Sequence, residues 1–290
     1  MTGGTGFEAL AFVFVAGLVT DLATGLGALP FFYVEEISDR ATVALWGVAS
    51  GIMLAASVFG LAREGLAYSH GLPVLLAAGA LVGVVLVEVS DRLLARLDVG
   101  GDGATVDGGT VSPDIDPSAI ATADLRTLVL VLGVLTVHSF PEGVAVGVSF
   151  AELGLRGGVD VLGLAVPPLA VLMTVAISVH NVPEGLAVSI PLKAMDVGEW
   201  RMVGAAVFSS LPQPIGAVIA FAFVRVARAF LPFGFGFAGG AMIYLVCTEF
   251  VPDALDAGSD LPHRGIPAFL AGALAGAGVM VPLLFVHVGP

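Results

Sequence analysis

Apolar residues occupy the chain in eight long blocks, and shorter polar segments separate these blocks. A helix crosses the hydrocarbon core of a bilayer with about 20 apolar residues, so each block predicts one transmembrane helix. The fifth block is longer than one straight span requires, and part of it is expected to tilt or to lie at the membrane interface. The blocks cover residues 7–31, 41–63, 70–95, 125–150, 160–192, 202–229, 233–253 and 266–288.

The composition also predicts an all-α integral membrane protein, with a single transmembrane domain over residues 1–290. Hydrophobic residues make up 57% of the chain and charged residues 12%, whereas a soluble domain carries about 25% charged residues. The mean hydropathy is +1.01. We expect a multi-pass protein of the cell membrane that has the lipid bilayer as its surroundings and no nucleic acid as a partner. The single cysteine, Cys247, excludes an intramolecular disulfide.

Acidic residues dominate the polar segments. The net charge is −13, and Lys193 is the only lysine beside ten arginines. The longest polar segment, residues 97–124, is rich in Gly, Asp, Ser and Pro, which predicts a disordered acidic loop. An acidic surface with little lysine is typical of a halophilic, high-salt cytoplasm. A loop that attracts divalent cations is the alternative, although residues 98–124 contain no His or Cys to hold a transition metal.

The distribution of basic residues gives an orientation. Eight spans place both termini on the same side of the membrane. If that side is extracytoplasmic, the cytoplasmic loops hold seven basic residues and the outer loops four. An excess of Lys and Arg marks the cytoplasmic side. We therefore expect both termini to be extracytoplasmic and the loop 97–124 to be cytoplasmic.

Short sequences recur in the same order in both halves of the chain. The offset is 189 residues for the first two recurring pairs and 193 for the third. Five spans separate each matched pair of helices, so the two copies have opposite orientations. This predicts a 3+2+3 arrangement, with helices 1–3 and 6–8 as an inverted repeat around helices 4–5, which is typical of transporters. The pairs are GLGA at 25–28 with PIGA at 214–217, ASGIM at 49–53 with AGGAM at 238–242, and AGALVG at 78–83 with AGALAG at 271–276.

A polar decapeptide occurs twice, as VHSFPEGVAV at 137–146 and VHNVPEGLAV at 179–188. His138 and Glu142 are four residues apart and share a helix face, as do His180 and Glu184. Both pairs fall near the middle of a span, where a charged side chain costs about 2.5–3.5 kcal/mol unless a partner offsets it. Packed histidines and simple proline kinks are the alternative. The repetition on adjacent spans favours a cation bound between the two helices.

The four side chains define the class of cation. Two neutral imidazoles and two carboxylates balance the charge of a divalent metal ion. Nitrogen and oxygen ligands together suit Zn²⁺, Fe²⁺, Mn²⁺ or Co²⁺ better than Mg²⁺ or Ca²⁺, which prefer oxygen alone. Pro141 and Pro183 each leave the carbonyl four residues earlier without its helical N–H, and such interruptions are tolerated where they line a cavity.

The chain resembles the ZIP (Zrt-/Irt-like protein) metal transporters, especially their GufA-like prokaryotic branch. The sequences that carry this resemblance are HSFPEG, HNVPEG, SGIML, LPQPIGA and AMIYLVCTEFVPDA. The resemblance covers most of the chain and implies eight helices with extracytoplasmic termini. It implies transport into the cytoplasm by an elevator-like movement, with Zn²⁺ as the substrate and no cofactor; Fe²⁺, Mn²⁺, Co²⁺ and Cd²⁺ are further candidate substrates. It assigns the primary site to His138, Glu142, His180 and Glu184, and it places Met53 near the metal and Glu249 on the exit path.

Three positions depart from relatives that bind two adjacent metals. Ser139 stands where they often have Asn, Asn181 where they have an acid or an amide, and Gln213 where they have Glu. All three are neutral, and a second dication would add two uncompensated charges in a low dielectric. We therefore expect one metal ion and not a bridged pair. The histidine-rich stretch between helices 3 and 4 of the family is also missing.

Other functions stay open at this point. A membrane metalloenzyme with iron or zinc would use the same ligand types, but HExxH and the Glu-x-x-His spacing of di-iron bundles are absent. An exporter of the same metals and a structural metal clamp are further alternatives. The sequence contains no P-loop motif, so it gives no indication of ATP-driven transport. The small-residue runs AAGALVG and LAGALAGAG pack helices within one protomer or in a homodimer.

Overall fold

The computed structural model describes residues 6–69, 71–96, 139–154, 158–194 and 197–284. Apart from two short 3-10 turns, eight helices and one small hairpin follow one another within these ranges. Six of the helices are long and apolar enough to cross a membrane. The described residues thus form an almost entirely α-helical membrane protein, as the apolar blocks predict.

The helices agree with the apolar blocks to within several residues, except at the start of the fifth. The remainder of the fourth block, 125–138, and the predicted loop 97–124 lie outside the described residues. The helices of the first half are α1 (Gly6–Leu26), α2 (Asp39–Ala67), α3 (Val74–Arg96) and α4, described over residues 139–149. Those of the second half are α5 (Pro168–Ala194), α6 (Glu199–Val226), α7 (Arg228–Ala257) and α8 (Ile266–Leu284).

A two-stranded hairpin takes the place of the first residues of the fifth predicted span. Strand β1 (Val159–Val161) pairs antiparallel with β2 (Leu164–Val166), and Gly163 in the turn has a φ of 80°. Pro167 and Pro168 follow. A proline disfavours the α conformation in the residue before it and fits the first position of a helix, so α5 begins only at Pro168. The fifth block, predicted as a span over 160–192, is therefore helical only from Pro168.

Helix α6 is broken in its middle. It is helical over Glu199–Ser210 and again over Pro212–Val226, with Leu211 between the two parts. Pro212 and Pro214 lack the N–H that a continuous helix needs, which accounts for the break. The apolar pattern did not predict it, because the block remains hydrophobic on both sides.

Helices α2 and α7 each contain a wider π-helical turn, Ala56–Ala62 and Val246–Phe250 respectively. A π-turn inserts extra backbone into an α-helix, and such turns are frequent at functional sites. The two turns begin 190 residues apart, close to the sequence-repeat offset of 189.

Glycines allow α2 and α8 to pack backbone against backbone. A Cβ atom added at Gly51 would stand 2.1 Å from the carbonyl oxygen of Ala273, and one at Gly276 would stand 2.2 Å from that of Val48. Neither position has room for a side chain. Close packing through small residues is the usual way for helices to associate in a membrane.

Helices α3 and α7 meet in the same manner. A Cβ added at Gly240 would stand 2.5 Å from the carbonyl oxygen of Ala80, and one at Gly83 would stand 2.2 Å from that of Phe237. Helix pairs α2–α8 and α3–α7 therefore form two glycine-lined seams of similar construction.

Helices α1, α4, α5 and α6 form a second group. A Cβ added at Gly143 of α4 would stand 2.2 Å from the carbonyl oxygen of Gln213 in α6. One added at Gly185 of α5 would stand 1.8 Å from that of Thr24 in α1. Both glycines directly follow the glutamate of a decapeptide copy, so the repeated motif sets the spacing of these helices. Helix α5 also packs against α2 and connects the two groups.

Candidate metal centre

Three ionisable side chains converge between α4 and α5. Ligand atoms of Glu142, His180 and Glu184 all lie within 4.8 Å of one another. Their relative exposures are 1%, 0% and 8%, so the cluster is closed to the surroundings. His138, the fourth predicted ligand, lies outside the described residues, although its place four residues before Glu142 puts it one helical turn away in sequence.

The imidazole of His180 is held from two sides. Its Nε2 atom lies 3.2 Å from Oε1 of Glu142. The ring stacks on Phe250 of the α7 π-turn, with centroids 5.2 Å apart and planes inclined by 20°. Among the residues that the structure describes, neither ring nitrogen has a hydrogen-bond partner of good geometry. The ring is therefore oriented by packing, while its nitrogens remain suited to a ligand.

A chain of amide hydrogen bonds fixes the other oxygen of Glu142. Nε2 of Gln213 donates to Glu142 Oε2 at 2.5 Å, and Nδ2 of Asn181 donates to Gln213 Oε1 at 3.0 Å. Nδ2 of Asn181 also donates to the main-chain oxygen of Thr20 at 2.7 Å. A carbonyl oxygen can only accept, so Thr20 determines which way both amides face. The Gln213 amide must then present N–H, and not oxygen, to Glu142.

Ser139 also makes a hydrogen bond to the main chain of a neighbouring helix. Its hydroxyl donates to the main-chain oxygen of Ser209 in α6 at 3.3 Å. Ser139 occupies in the first decapeptide the place that Asn181 occupies in the second. Both side chains thus bind the backbone of a neighbouring helix.

The arrangement suits a single divalent transition metal. One imidazole and two carboxylates are hard and borderline ligands that match zinc and its neighbours. The neighbouring amide of Gln213 points a partial positive charge at Glu142, where a second cation would otherwise share that carboxylate.

Two predicted pathway residues are buried outside the cluster. Met53 lies on α2 with 1% exposure, within the same apolar cluster as Phe250. Glu249 lies in the α7 π-turn with 6% exposure, next to the phenylalanine that stacks on His180. Their roles beside the metal or on its exit path stay predictions.

Sequence reasoning missed a polar layer on α1. Asp21 and Thr24 are completely buried, and the Thr24 hydroxyl donates to that of Ser210 at 2.8 Å. An acidic residue in the middle of an apolar block was the available signal, because ionisable groups inside a membrane are costly and usually functional.

A cavity of about 510 Å³ lies apart from the cluster, beyond the end of α2. Tyr68, Glu152 and Arg228 are among its lining residues, and none of the predicted site residues that the structure describes lines it. Burial and a hydrogen bond to Glu152 raise the pKa of Tyr68, so its phenol stays neutral. Among the described residues, the side chains of Glu152 and Arg228 line the cavity beside this hydroxyl.

Comparison with known proteins gives a consistent assignment. The sequence profile of a family described as ZIP Zinc transporter matches residues 112–284, which include all three converging side chains. The zinc transporter GufA of Myxococcus xanthus is 30% identical over 258 residues, a match that covers 87% of this chain and 88% of that protein.

Two further relatives extend the comparison. The zinc transporter ZIPB of Bordetella bronchiseptica is 32% identical over 249 residues, with 84% of this chain and 73% of the relative covered. A candidate zinc transporter of Arabidopsis thaliana is 40% identical over 232 residues, and this chain spans 33% of its length. From the family match and these relatives, the chain belongs to the ZIP family of zinc transporters.

Proposed function

We propose that the chain carries Zn²⁺ and related divalent transition metals across the membrane into the cytoplasm, and that Glu142, His180 and Glu184 bind the metal together with His138. The convergence of two carboxylates and an imidazole in a buried position carries this proposal. Two carboxylates cancel the charge of a dication, so the loaded centre is neutral and stable in a low dielectric. The names of the relatives support zinc as the first candidate.

The route follows from the position of the centre. A hydrated ion arrives from the extracytoplasmic side, exchanges its water for the four side chains and moves with α1, α4, α5 and α6. It leaves past the α7 π-turn, where Glu249 offers a carboxylate next to Phe250. Glycine contacts within this helix group support its movement as a unit against α2, α3, α7 and α8.

The paired seams support the inverted 3+2+3 arrangement. Gly51 and Gly240 are 189 residues apart, and Gly83 and Gly276 are 193 apart, the offsets of the repeated sequences. Each glycine packs against a helix of the opposite half, and the two members of each pair make equivalent contacts. The π-turns of α2 and α7 occupy matching positions as well. An inverted repeat with a binding site between its halves supports alternating access.

We infer that one metal ion binds per chain. The amide chain that begins at Thr20 directs an N–H of Gln213 at Glu142, which repels a second cation at that carboxylate. Zinc titration of the purified protein is expected to give one tight site that Glu142→Ala removes. Two tight sites, both lost in Glu142→Ala, would contradict the inference.

Localisation in the cell membrane with extracytoplasmic termini stays a prediction from the distribution of basic residues. A homodimer likewise stays a prediction. Because the family consists of transporters, the metalloenzyme alternative is abandoned. An exporter would use the same ligands in the reverse direction, and a structural clamp would bind metal without moving it.

Zinc flux into proteoliposomes tests the proposal. Wild type is compared with His180→Ala, and His263→Ala serves as the matched control because His263 is exposed on a loop. Flux that is lost in His180→Ala, retained in His263→Ala and unaffected by Mg²⁺ is the expected result. Competition by Fe²⁺ and Mn²⁺ then defines the substrate range. If the protein binds metal but neither wild type nor either variant transports zinc, the result would favour the structural clamp and refute transport.

A further inference from the structure

Asp21 is a buried acid that the metal centre does not use. Its relative exposure is 0%, and within the described residues neither carboxyl oxygen has a hydrogen-bond partner. It lies in the second half of α1, inside a helix that is apolar enough to cross the membrane. A fully buried polar group without a partner is rare in folded proteins, because its lost hydration is not replaced.

The neighbours of Asp21 on α1 show where its side chain is directed. Gly17 and Thr24 lie one turn before and after it on the same helix face. A Cβ added at Gly17 would stand 2.7 Å from Cα of Pro214, and the Thr24 hydroxyl donates to Ser210. Both contacts are to α6, on either side of its break. Asp21 therefore faces the broken part of α6.

No charged group compensates Asp21 in the part of the chain that the structure describes. Glu8 is at the far end of α1, and three of the charged groups on adjacent helices belong to the metal cluster. Lys193 lies 3.4 Å from Glu199, and Arg225 lies over the ring of Phe221. Within the described residues, the charged and titratable groups on the helices packed around α1 are Glu142 on α4, His180, Glu184 and Lys193 on α5, and Glu199, Arg201 and Arg225 on α6.

The metal itself does not neutralise Asp21. The Asp21 carboxyl is not among the side chains that converge at the metal centre. The carboxylates of Glu142 and Glu184, which do converge there, already balance the charge of a dication. The hydroxyls of Thr24 and Ser210 offer oxygen atoms but no positive charge. A proton is the smallest cation that makes Asp21 neutral without further ligands.

We propose that Asp21 is a proton-binding site of the helix group that carries the metal, separate from the metal centre. A proton is bound to a carboxyl oxygen of Asp21 while α1 and α6 are packed together. It dissociates to water when their contact opens, which leaves the carboxylate hydrated. The coupling of this proton to metal movement rests on the proposed transport function, whereas the protonated state does not.

The connection to the metal centre is short. Thr20 precedes Asp21 in the chain, and its main-chain oxygen is the end of the amide chain that leads to Glu142. A displacement of α1 against α6 therefore alters the surroundings of Asp21 and the support of Glu142 together. Proton release and metal release are thereby linked through one helix.

Infrared spectroscopy of the protein in lipid detects the proton directly. A protonated carboxyl group has a carbonyl stretch well separated from the carboxylate bands, and the band shifts on transfer to D₂O. At neutral pH without metal, we expect such a band in wild type, its loss in Asp21→Asn and its return at a shifted frequency in Asp21→Glu. The control Glu8→Gln, at an exposed position of the same helix, retains the band.

The outcomes separate the two proposals. Absence of the band in wild type, or its retention in Asp21→Asn, overturns the assignment whatever the zinc flux. A band that appears only when Na⁺ is removed also overturns it, because Asp21 would then bind a metal cation. If the band is assigned to Asp21 but no variant transports zinc, the proton site stands and the transport function fails. Zinc-driven proton movement that is lost in Asp21→Asn establishes the coupling, and its retention refutes it.

Discussion

Replacement of Gly51 by alanine tests how closely α2 and α8 must approach. The new Cβ would stand 2.1 Å from the Ala273 carbonyl oxygen, whereas ordinary contact begins at 3.4 Å, so the helices must separate locally by about 1.3 Å. Overpacking of this kind costs about 1–3 kcal/mol. The higher helix propensity of alanine returns about 0.5–1 kcal/mol. From the midpoints of these two ranges, the net expected loss of stability is about 1.3 kcal/mol.

Thermal unfolding in detergent measures this loss. On the order of 2 °C per kcal/mol is expected for a chain of this length, so the midpoint of Gly51→Ala falls by about 1–4 °C. Gly204→Ala is the matched control, because a Cβ there meets nothing within 4 Å. That variant is expected to be as stable as wild type or more stable. If Gly51→Ala unfolds at the same temperature as Gly204→Ala, the seam is not sterically closed and the reasoning fails.

Three further predictions concern the metal centre. Gln213→Glu replaces the donating amide by a carboxylate and is expected to raise zinc stoichiometry from one to two in a titration; an unchanged value contradicts the role given to the amide. Phe250→Leu removes the ring stacked on His180, a contact worth about 0.5–1.5 kcal/mol, so zinc should bind about 2–10 times more weakly in equilibrium dialysis, and equal affinity would refute it. Zinc uptake is expected to fall between about pH 8 and about pH 5, because protons compete with metal for neutral histidine, whereas a flat profile measured in proteoliposomes would exclude this competition.

The convergence of Glu142, His180 and Glu184 could be predicted from sequence because much of its geometry is local. A spacing of four residues places His180 and Glu184 on one face of a helix whatever surrounds it. Repetition of the motif on the preceding span then brings Glu142 to the same cluster. The apolar blocks located most helices for a similar reason, since bilayer thickness fixes their length.

Interactions between distant segments could not be predicted in this way. The direction of the Gln213 amide depends on Asn181 and on a main-chain oxygen of α1, which no spacing within α6 reveals. The contact between α1 and α6 next to Asp21 likewise joins residues that are 186 positions apart, Thr24 and Ser210. The hydrophobic pattern did not predict the hairpin before α5, because its strands are as apolar as the helix that follows.

The hydrogen bonds that begin at Thr20 have a mechanical consequence. They connect α1, α5, α6 and α4 in series, and their fixed end is a main-chain atom that no side-chain rotation can withdraw. Sliding of α1 along α5 would stretch the bond between Thr20 and Asn181 and remove the contact that fixes the direction of the Asn181 and Gln213 amides, and with it the support of Glu142. While the metal ion is carried, these helices therefore travel as a rigid block against their surroundings, and α1 can separate from α6 only at the step that releases the metal.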